Sequence, residues 1–286
     1  MSTGNGPFGP VVNGTQIVFF EYRPNQAAAY TFVALFALAS LGHLICIFWH
    51  RAWFCIPFIL GGISETFGYY GRALASDKPA KTGPFIMQNL LILAGAPFLA
   101  ATIYMSLGRV IISLEATRHS ILNVRWMTKI YVLIDIACIF SQFIGAAMPA
   151  SGEPDAIRKG RIILIAGLVT QFVALSVFII TSGLVHVRLR REPPDLYLGN
   201  HSVSWQKYFW TIEAITVLMV VRSIVRTVEY LQGGGGFVIS HEIFIYLFDA
   251  APMFLVMLAL LICHPGALVR HICQLQGGRG EAFPLK

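Results

Sequence analysis

The sequence predicts an all-α protein, a polytopic bundle of seven transmembrane helices with its N-terminus outside and its C-terminus in the cytosol. Of its 286 residues, 56% are hydrophobic and only 12% are charged, and the mean hydropathy is +0.67. A soluble domain carries about 25% charged residues. The apolar residues come in separate blocks of about 20, which is the length that a helix needs to cross roughly 30 Å of hydrocarbon. Because an unpaired backbone cannot face lipid, these blocks are predicted to be helices.

Seven apolar blocks define the predicted spanning helices, and turn-forming residues such as those at 77–79 and 192–195 separate them. The blocks are 27–49, 52–75, 84–108, 130–149, 162–185, 208–230 and 242–263. We therefore expect an extracellular segment at 1–26, a seven-helix transmembrane domain at 27–265 and a short cytosolic tail at 266–286. Pro97 and Pro252 fall inside helices three and seven, where each is predicted to kink its helix or act as a hinge.

The predicted orientation follows from the distribution of lysine and arginine, which concentrate in cytosolic loops. Twelve lie on the side that we assign to the cytosol and six on the other, while Arg72, Arg222 and Arg226 lie within helices. All five tryptophans fall at predicted cytosolic helix ends, as an interfacial aromatic belt would place them. The net charge of +7 does not indicate nucleic-acid binding, because the basic residues are spread over short loops and form no single patch.

Ionisable residues inside the predicted helices are the strongest functional signal. A charged group in hydrocarbon costs about 2.5 kcal/mol or more, so such groups face the bundle interior, pair with one another and mark function. Helices two, six and seven each carry three polar residues at the spacing i, i+4, i+7, which places them on one helix face. These stripes are Glu65, Tyr69 and Arg72; Arg222, Arg226 and Glu229; and Glu242, Tyr246 and Asp249. Helices three and four add Gln88, Tyr104, Asp135 and Gln142.

In the predicted topology the three stripes overlap in the outer half of the membrane, where three arginines face four carboxylates. Asp135 and Glu213 are predicted nearer the cytosolic side, as a separate group. Two interpretations of the cluster remain open. It is an ion-pair network that fixes helix packing, or it lines a polar cavity that binds the head of an amphipathic molecule, and the two can both hold.

Other chemistry has little support in the sequence. The histidines and cysteines have no metal-binding spacing, and neither a P-loop nor a GxSxG elbow is present. We therefore expect no metal, no cofactor and no enzymatic activity.

Residues 62–72, with the sequence GISETFGYYGR, resemble a segment of the fungal RTA-like proteins, also called the lipid-translocating exporter family. The resemblance extends along most of the chain and implies a seven-helix fungal protein of the plasma membrane or, alternatively, of an internal membrane. It includes Tyr22-x-Pro24, Gln88, Ala96-Pro97, residues 103–109, Asp135, Gln142, Gly145, Gly167, Gln171, Arg222-Ser223-x-x-Arg226-x-x-Glu229, Glu242, Tyr246, Asp249, Pro252 and His264-Pro265.

The resemblance also implies a function, because the family is linked to the translocation of sphingoid long-chain bases, to resistance against toxic amphiphiles and to porphyrin transport. With the carboxylate cluster, it predicts a transporter or flippase for amphipathic lipids in which Glu65, Glu229 and Asp249 hold an ammonium group. A lipid or stress sensor is the alternative, with loop 186–207 contacting a cytosolic partner. An intramembrane lipid-modifying enzyme is the second alternative. The expected partners are an amphipathic lipid or small hydrophobic ligand and the bilayer, with a homo-oligomer also open and no nucleic acid.

Overall fold

Long helices make up most of the fold of this chain. The computed structural model describes residues 8–9, 11–12, 15–16, 18–119, 123–148, 153–192, 205–233 and 236–277. The long helices are α1 Gln26–His50, α2 Ile56–Asp77, α3 Thr82–Ser113, α4 Val124–Ala147, α5 Pro154–Arg191 and α6 Trp205–Gln232. The elements that follow are α7 Phe237–Ser240, α8 Ile243–Ile245, a π-helical turn Tyr246–Ala250, α9 Ala251–Ile262 and α10 Pro265–Gly277.

Shorter elements join the helices and precede them. Two 3-10 turns, Trp53–Cys55 and Ala116–His119, follow α1 and α3. Strands β1 Val11–Val12 and β2 Thr15–Gln16 form a small antiparallel hairpin in the N-terminal segment, with Val11 opposite Gln16 and Val12 opposite Thr15.

The helices suit a membrane by length, composition and surface. Six stretches of the described chain are long and apolar enough to span a bilayer: α1, α3, α4, α5, α6 and Ile243–Ile272. Helix α2 has 22 residues and carries Glu65 and Arg72 among its buried residues. Large apolar side chains such as Leu38, Phe140 and Ile180 are exposed on the outside of the helices, where lipid would cover them. The chain is therefore a multi-pass helical membrane protein.

Helix α5 is longer at both ends than the predicted 162–185, because charged residues extend it beyond the apolar stretch. Pro154 and Asp155 suit its first turn, where a missing N–H costs nothing and a negative charge meets the helix dipole. The arginines at 188, 190 and 191 suit its last turn for the converse reason. The predicted bounds of the loop 186–207 are therefore wrong at both ends, since residues 186–191 belong to α5 and residues 205–207 belong to α6. Residues 193–204 of this loop lie outside the described part of the chain.

The seventh predicted helix is not one regular α-helix. It begins at Ile243, so Glu242 precedes it, and it passes through the π-helical turn before continuing as α9. At this turn the backbone N–H of Ala251 donates to the carbonyl of Tyr246, five residues back. Pro252 has no N–H to donate to the carbonyl four residues before it, so the predicted kink takes the form of a widened turn. We call 243–262 the seventh segment.

The two ends of the described chain lie at opposite ends of the bundle. The Nε of Arg23 donates to the carbonyl of Ser76, at the end of α2, over 2.9 Å. The Nη1 of Arg270, on α10, donates to the carbonyl of Trp49, at the end of α1, over 2.8 Å. Val269 and Ile272 of α10 are buried in the main core, so the first part of the predicted tail 266–286 is a helix packed on the bundle.

Glycines let α2 approach α3 closely, and this contact positions Glu65 between them. A Cβ atom at Gly68 would lie 2.6 Å from the side chain of Ile92, and one at Gly71 would lie 3.0 Å from the backbone nitrogen of Gln88. Small residues at helix interfaces are the usual means of close packing in membranes. Glu65 of α2 consequently lies directly against Gly95 of α3.

Candidate polar site within the bundle

Asp249 is the centre of a buried ion-pair cluster between α2, α6 and the seventh segment. Its Oδ2 accepts from Nη2 of Arg226 over 2.6 Å and from the hydroxyl of Tyr69 over 3.3 Å. Its Oδ1 lies 2.5 Å from Nε of Arg222. Arg226 also donates through Nη1 to Glu229 over 3.0 Å. We call Arg222, Arg226, Glu229 and Asp249 the Asp249 cluster.

A second ion pair joins Arg72, near the C-terminal end of α2, to Glu242, the residue directly before the seventh segment. The Nη2 of Arg72 lies 2.8 Å from Oε1 of Glu242 and donates to the hydroxyl of Tyr22 over 3.0 Å. The Nε of Arg72 donates to the hydroxyl of Tyr246 over 3.1 Å. The same Glu242 oxygen accepts from the backbone nitrogen of Asn25 over 2.7 Å. Burial raises the pKa of Tyr22, so its hydroxyl stays neutral at physiological pH while it accepts from the arginine.

Glu65 is the fourth carboxylate of this region and has a different environment. Its side chain is 0% exposed, and neither of its oxygens has a hydrogen-bond partner among the residues that the structure describes. The carboxylate lies against Gly95 of α3, where any side chain would collide with it. The charged groups that act on it are Asp249, Arg222 and Arg226.

A cavity of about 190 Å³ lies beside these ion pairs, at the end of the bundle that the N-terminal segment covers. Its charged and polar lining consists of Glu21, Tyr22, Arg72, Gln88, Asn89, Arg226, Glu229, Tyr230, His241 and Asp249. Aromatic rings complete it: Phe19 is stacked on Phe85 at 4.2 Å, and Phe244 is stacked on Phe248 at 5.8 Å. Pockets for drug-sized ligands measure about 300–1,000 Å³, so this one has room for a small polar group.

The structure brings ten of the thirteen predicted site residues into this region. They are Glu65, Tyr69, Arg72, Gln88, Arg222, Arg226, Glu229, Glu242, Tyr246 and Asp249. The predicted overlap of three polar stripes thus corresponds to a real juxtaposition. The structure contains both ion pairs and a polar cavity, and the two share Arg72, Arg226, Glu229 and Asp249.

The other three predicted residues lie elsewhere in the bundle. Tyr104 and Asp135 face each other across α3 and α4, and the ring of Phe178 on α5 packs against Tyr104 at 4.6 Å. Gln142 donates through Nε2 to Gln171 on α5 over 3.0 Å. Helix α5 therefore covers these side chains, which have no part in the cavity. Glu213 pairs with His186 of α5 over 2.8 Å.

Several lining residues were not predicted, because they come from segments without helical periodicity. Glu21 and Tyr22 belong to the stretch before α1, and His241 follows the short helix α7. The Tyr22-x-Pro24 pair in the family resemblance was the one sequence signal that pointed to this stretch.

Fold and site together define a class of protein, namely a multi-pass helical membrane protein with a charged, aromatic-lined cavity at one end of its bundle. The chain belongs to the RTA1-like family, since the family profile described as "RTA1 like protein" matches residues 58–272. The resemblance inferred from the sequence is thereby confirmed.

Three relatives from Saccharomyces cerevisiae illustrate the family. Protoporphyrin uptake protein 1 is 37% identical over 204 residues, which cover 71% of this chain and 66% of that protein. Protein RTA1 is 29% identical over 271 residues, with coverages of 86% and 84%. Sphingoid long-chain base transporter RSB1 is 25% identical over 296 residues, with coverages of 92% and 75%. No solved structure matches the chain.

Proposed function

We propose that this protein transports amphipathic lipids across the membrane, and that the cavity receives the polar head group of the lipid. The observation that carries the proposal is a cavity of about 190 Å³ that combines charges of both signs with aromatic rings at one end of a membrane-spanning bundle. The names of two relatives, a sphingoid long-chain base transporter and a protoporphyrin uptake protein, support it. Both names refer to amphiphiles.

The geometry favours a cationic head group, such as the ammonium of a sphingoid long-chain base. Glu229 is the more accessible carboxylate of the Asp249 cluster, with its side chain 18% exposed against 4% for Asp249. It has one arginine partner, Arg226, whereas Asp249 has two. An entering ammonium can therefore replace Arg226 at Glu229 while Asp249 keeps both arginines. The rings of Phe244 and Phe248 add faces on which a cation is stabilised.

The size of the cavity sets how the rest of the lipid is held. A space of about 190 Å³ is too small for a hydrocarbon chain together with its head group. The chain must then stay among the exposed apolar side chains of the helices, in contact with the bilayer. Transport in this arrangement moves the head group through the bundle while the tail remains in lipid.

A blocked cavity tests the proposal directly. Val225 lines the cavity, whereas Val221, one turn earlier on α6, is exposed on the outside of the bundle. We expect Val225→Trp to fill the cavity and to slow the translocation of a fluorescent sphingoid base at least tenfold, and Val221→Trp to translocate at the wild-type rate. The measurement uses purified protein in phosphatidylcholine vesicles, with quenching of the base on one leaflet as readout.

Each alternative has its own outcome in this assay. Equal slowing by both tryptophan variants, or by neither, would place the path outside this cavity. A wild-type protein that translocates no base, but recruits a cytosolic partner only when the base is present, would favour the sensor. Conversion of the base to another compound would favour the enzyme.

A further inference from the structure

The site has one more carboxyl group than it has arginines to balance them. In the Asp249 cluster, two arginines balance Glu229 and Asp249, and Arg72 balances Glu242. Glu65 is the remaining acid that these charges act upon. These seven groups, three arginines and four acids, are therefore neutral together when Glu65 is protonated and carry one negative charge when Glu65 is ionised; Glu21 of the stretch before α1 also lines the cavity and lies outside this set.

The surroundings of Glu65 suit a group that changes its protonation state. An ionised carboxylate buried without a partner is costly, so the arrangement seen here accommodates the neutral carboxyl group more readily. Tyr69 on the same helix, Arg222 and Arg226 on α6 and Asp249 on the seventh segment are the titratable and charged groups that act on Glu65, and α3 contacts its carboxylate at Gly95. Because both arginines are already held by Asp249, an additional cation is needed to balance ionised Glu65.

We propose that Glu65 is a protonation site that exchanges one proton for one cationic amphiphile bound in the adjoining cavity. This proposal rests on the proposed function and adds its coupling ion. The cavity is lined by Arg226 and Asp249, which also act on Glu65, so the two sites share charged neighbours. When a cation enters, the carboxyl O–H of Glu65 loses its proton to solvent, and the electron pair stays on the carboxylate. Reprotonation of Glu65 restores the neutral cluster and expels the cation.

Proton release on ligand binding tests the exchange. The probe is dodecyltrimethylammonium, whose positive charge is permanent, so that any released proton comes from the protein. Wild-type protein in phosphatidylcholine nanodiscs is titrated by calorimetry in buffers of different ionisation enthalpy. We expect close to one proton released per cation at pH values where Glu65 is protonated. We also expect an affinity that rises as the pH rises, by up to tenfold per pH unit, because one proton is linked to binding.

Variants identify the source of the proton. Glu65→Gln should bind the probe more weakly, with no proton release and no pH dependence, whereas Glu65→Asp should still release protons. The matched control is Glu213→Gln, a change at an acid that pairs with His186 away from the cavity, and it should behave as wild type. His241→Gln should also retain proton release, which separates Glu65 from the histidine that lines the cavity.

The outcomes separate this proposal from the proposed function. Binding by wild type without proton release, or undiminished release by Glu65→Gln, would overturn the exchange and leave lipid transport standing. Absence of binding by wild type, together with absence of translocation in vesicles, would overturn both. If Glu65→Gln does not fold, the titrations of wild type and of Glu65→Asp still test the proposal. The absence of proton release from both proteins would contradict it.

Discussion

At the scale of single residues, two buried aspartates show how the same side chain serves different environments. Asp249 is 3% exposed and holds two arginines, whereas Asp135 is 1% exposed and lies beside the hydroxyl of Tyr104. In the described part of the chain, no arginine or lysine forms an ion pair with Asp135. Removing one member of a buried ion pair costs about 3–5 kcal/mol, because it leaves charge behind without compensation.

The matched substitutions Asp249→Asn and Asp135→Asn should therefore change the free energy of unfolding by different amounts or in opposite directions. We expect Asp249→Asn to lower the free energy of unfolding by about 3 kcal/mol or more, because Arg222 and Arg226 lose their shared carboxylate. We expect Asp135→Asn to leave it unchanged or to raise it, because a buried acid without an arginine or lysine partner is replaced by a neutral amide. Chemical unfolding of the purified protein in detergent measures both, and equal destabilisation would contradict this account.

At the scale of elements, the π-helical turn decides where the polar side chains of the seventh segment point. Tyr246 and Asp249 both lie on this turn, directly before Pro252. One extra residue in a helical turn rotates everything on one side of it by about 100° relative to a regular α-helix. The turn therefore sets the direction of Asp249 relative to α9, and such turns often occur at functional sites.

Pro252→Ala should remove the main reason for this turn. An alanine N–H can donate to the carbonyl four residues before it, so a regular α-helix becomes available and Asp249 rotates away from the arginines. We expect lower stability and translocation of the sphingoid base reduced at least tenfold. The control is Pro57→Ala, at the start of α2, where a proline breaks no hydrogen bond and its loss should have little effect. Wild-type behaviour of Pro252→Ala would show that packing alone holds the turn.

At the scale of the whole molecule, the cavity end and the α10 end of the bundle must face opposite sides of the membrane. The lysine and arginine distribution predicts that the cavity end lies outside. Exposed residues at the two ends make this orientation measurable. Lys81 lies between α2 and α3 at the cavity end, and Lys207 lies in the first turn of α6 at the other end.

Single-cysteine labelling determines the orientation. In a background without the five natural cysteines, we expect Lys81→Cys to react with a membrane-impermeant maleimide on intact cells. Lys207→Cys should react only after the membrane is permeabilised. The reverse pattern would mean that the cavity opens to the cytosol, and the lipid transport proposed above would then begin from the inner leaflet.

Much of this architecture could be predicted from the order of the residues. Apolar blocks of about 20 residues define the spanning helices, because the bilayer fixes their length. The spacing of Glu65, Tyr69 and Arg72 defines a polar face, because helical geometry repeats every 3.6 residues. Helix ends were less predictable. An apolar stretch shows which residues lie in the hydrocarbon of the bilayer, but a helix can continue beyond them through charged residues, as the first and last turns of α5 do.

The sequence alone therefore determined the family, the membrane class and the polar faces of three helices, since each depends on local composition and spacing. Only the tertiary structure decided which faces meet. It joined Arg222 and Arg226 to Asp249, left Glu65 without a partner among the described residues, and placed Asp135 against Tyr104 away from the cavity. The physical reason is that ion pairs across helices depend on which helices are neighbours and how closely they pack. In this bundle, that is decided by glycine contacts between α2 and α3 and by the turn before Pro252.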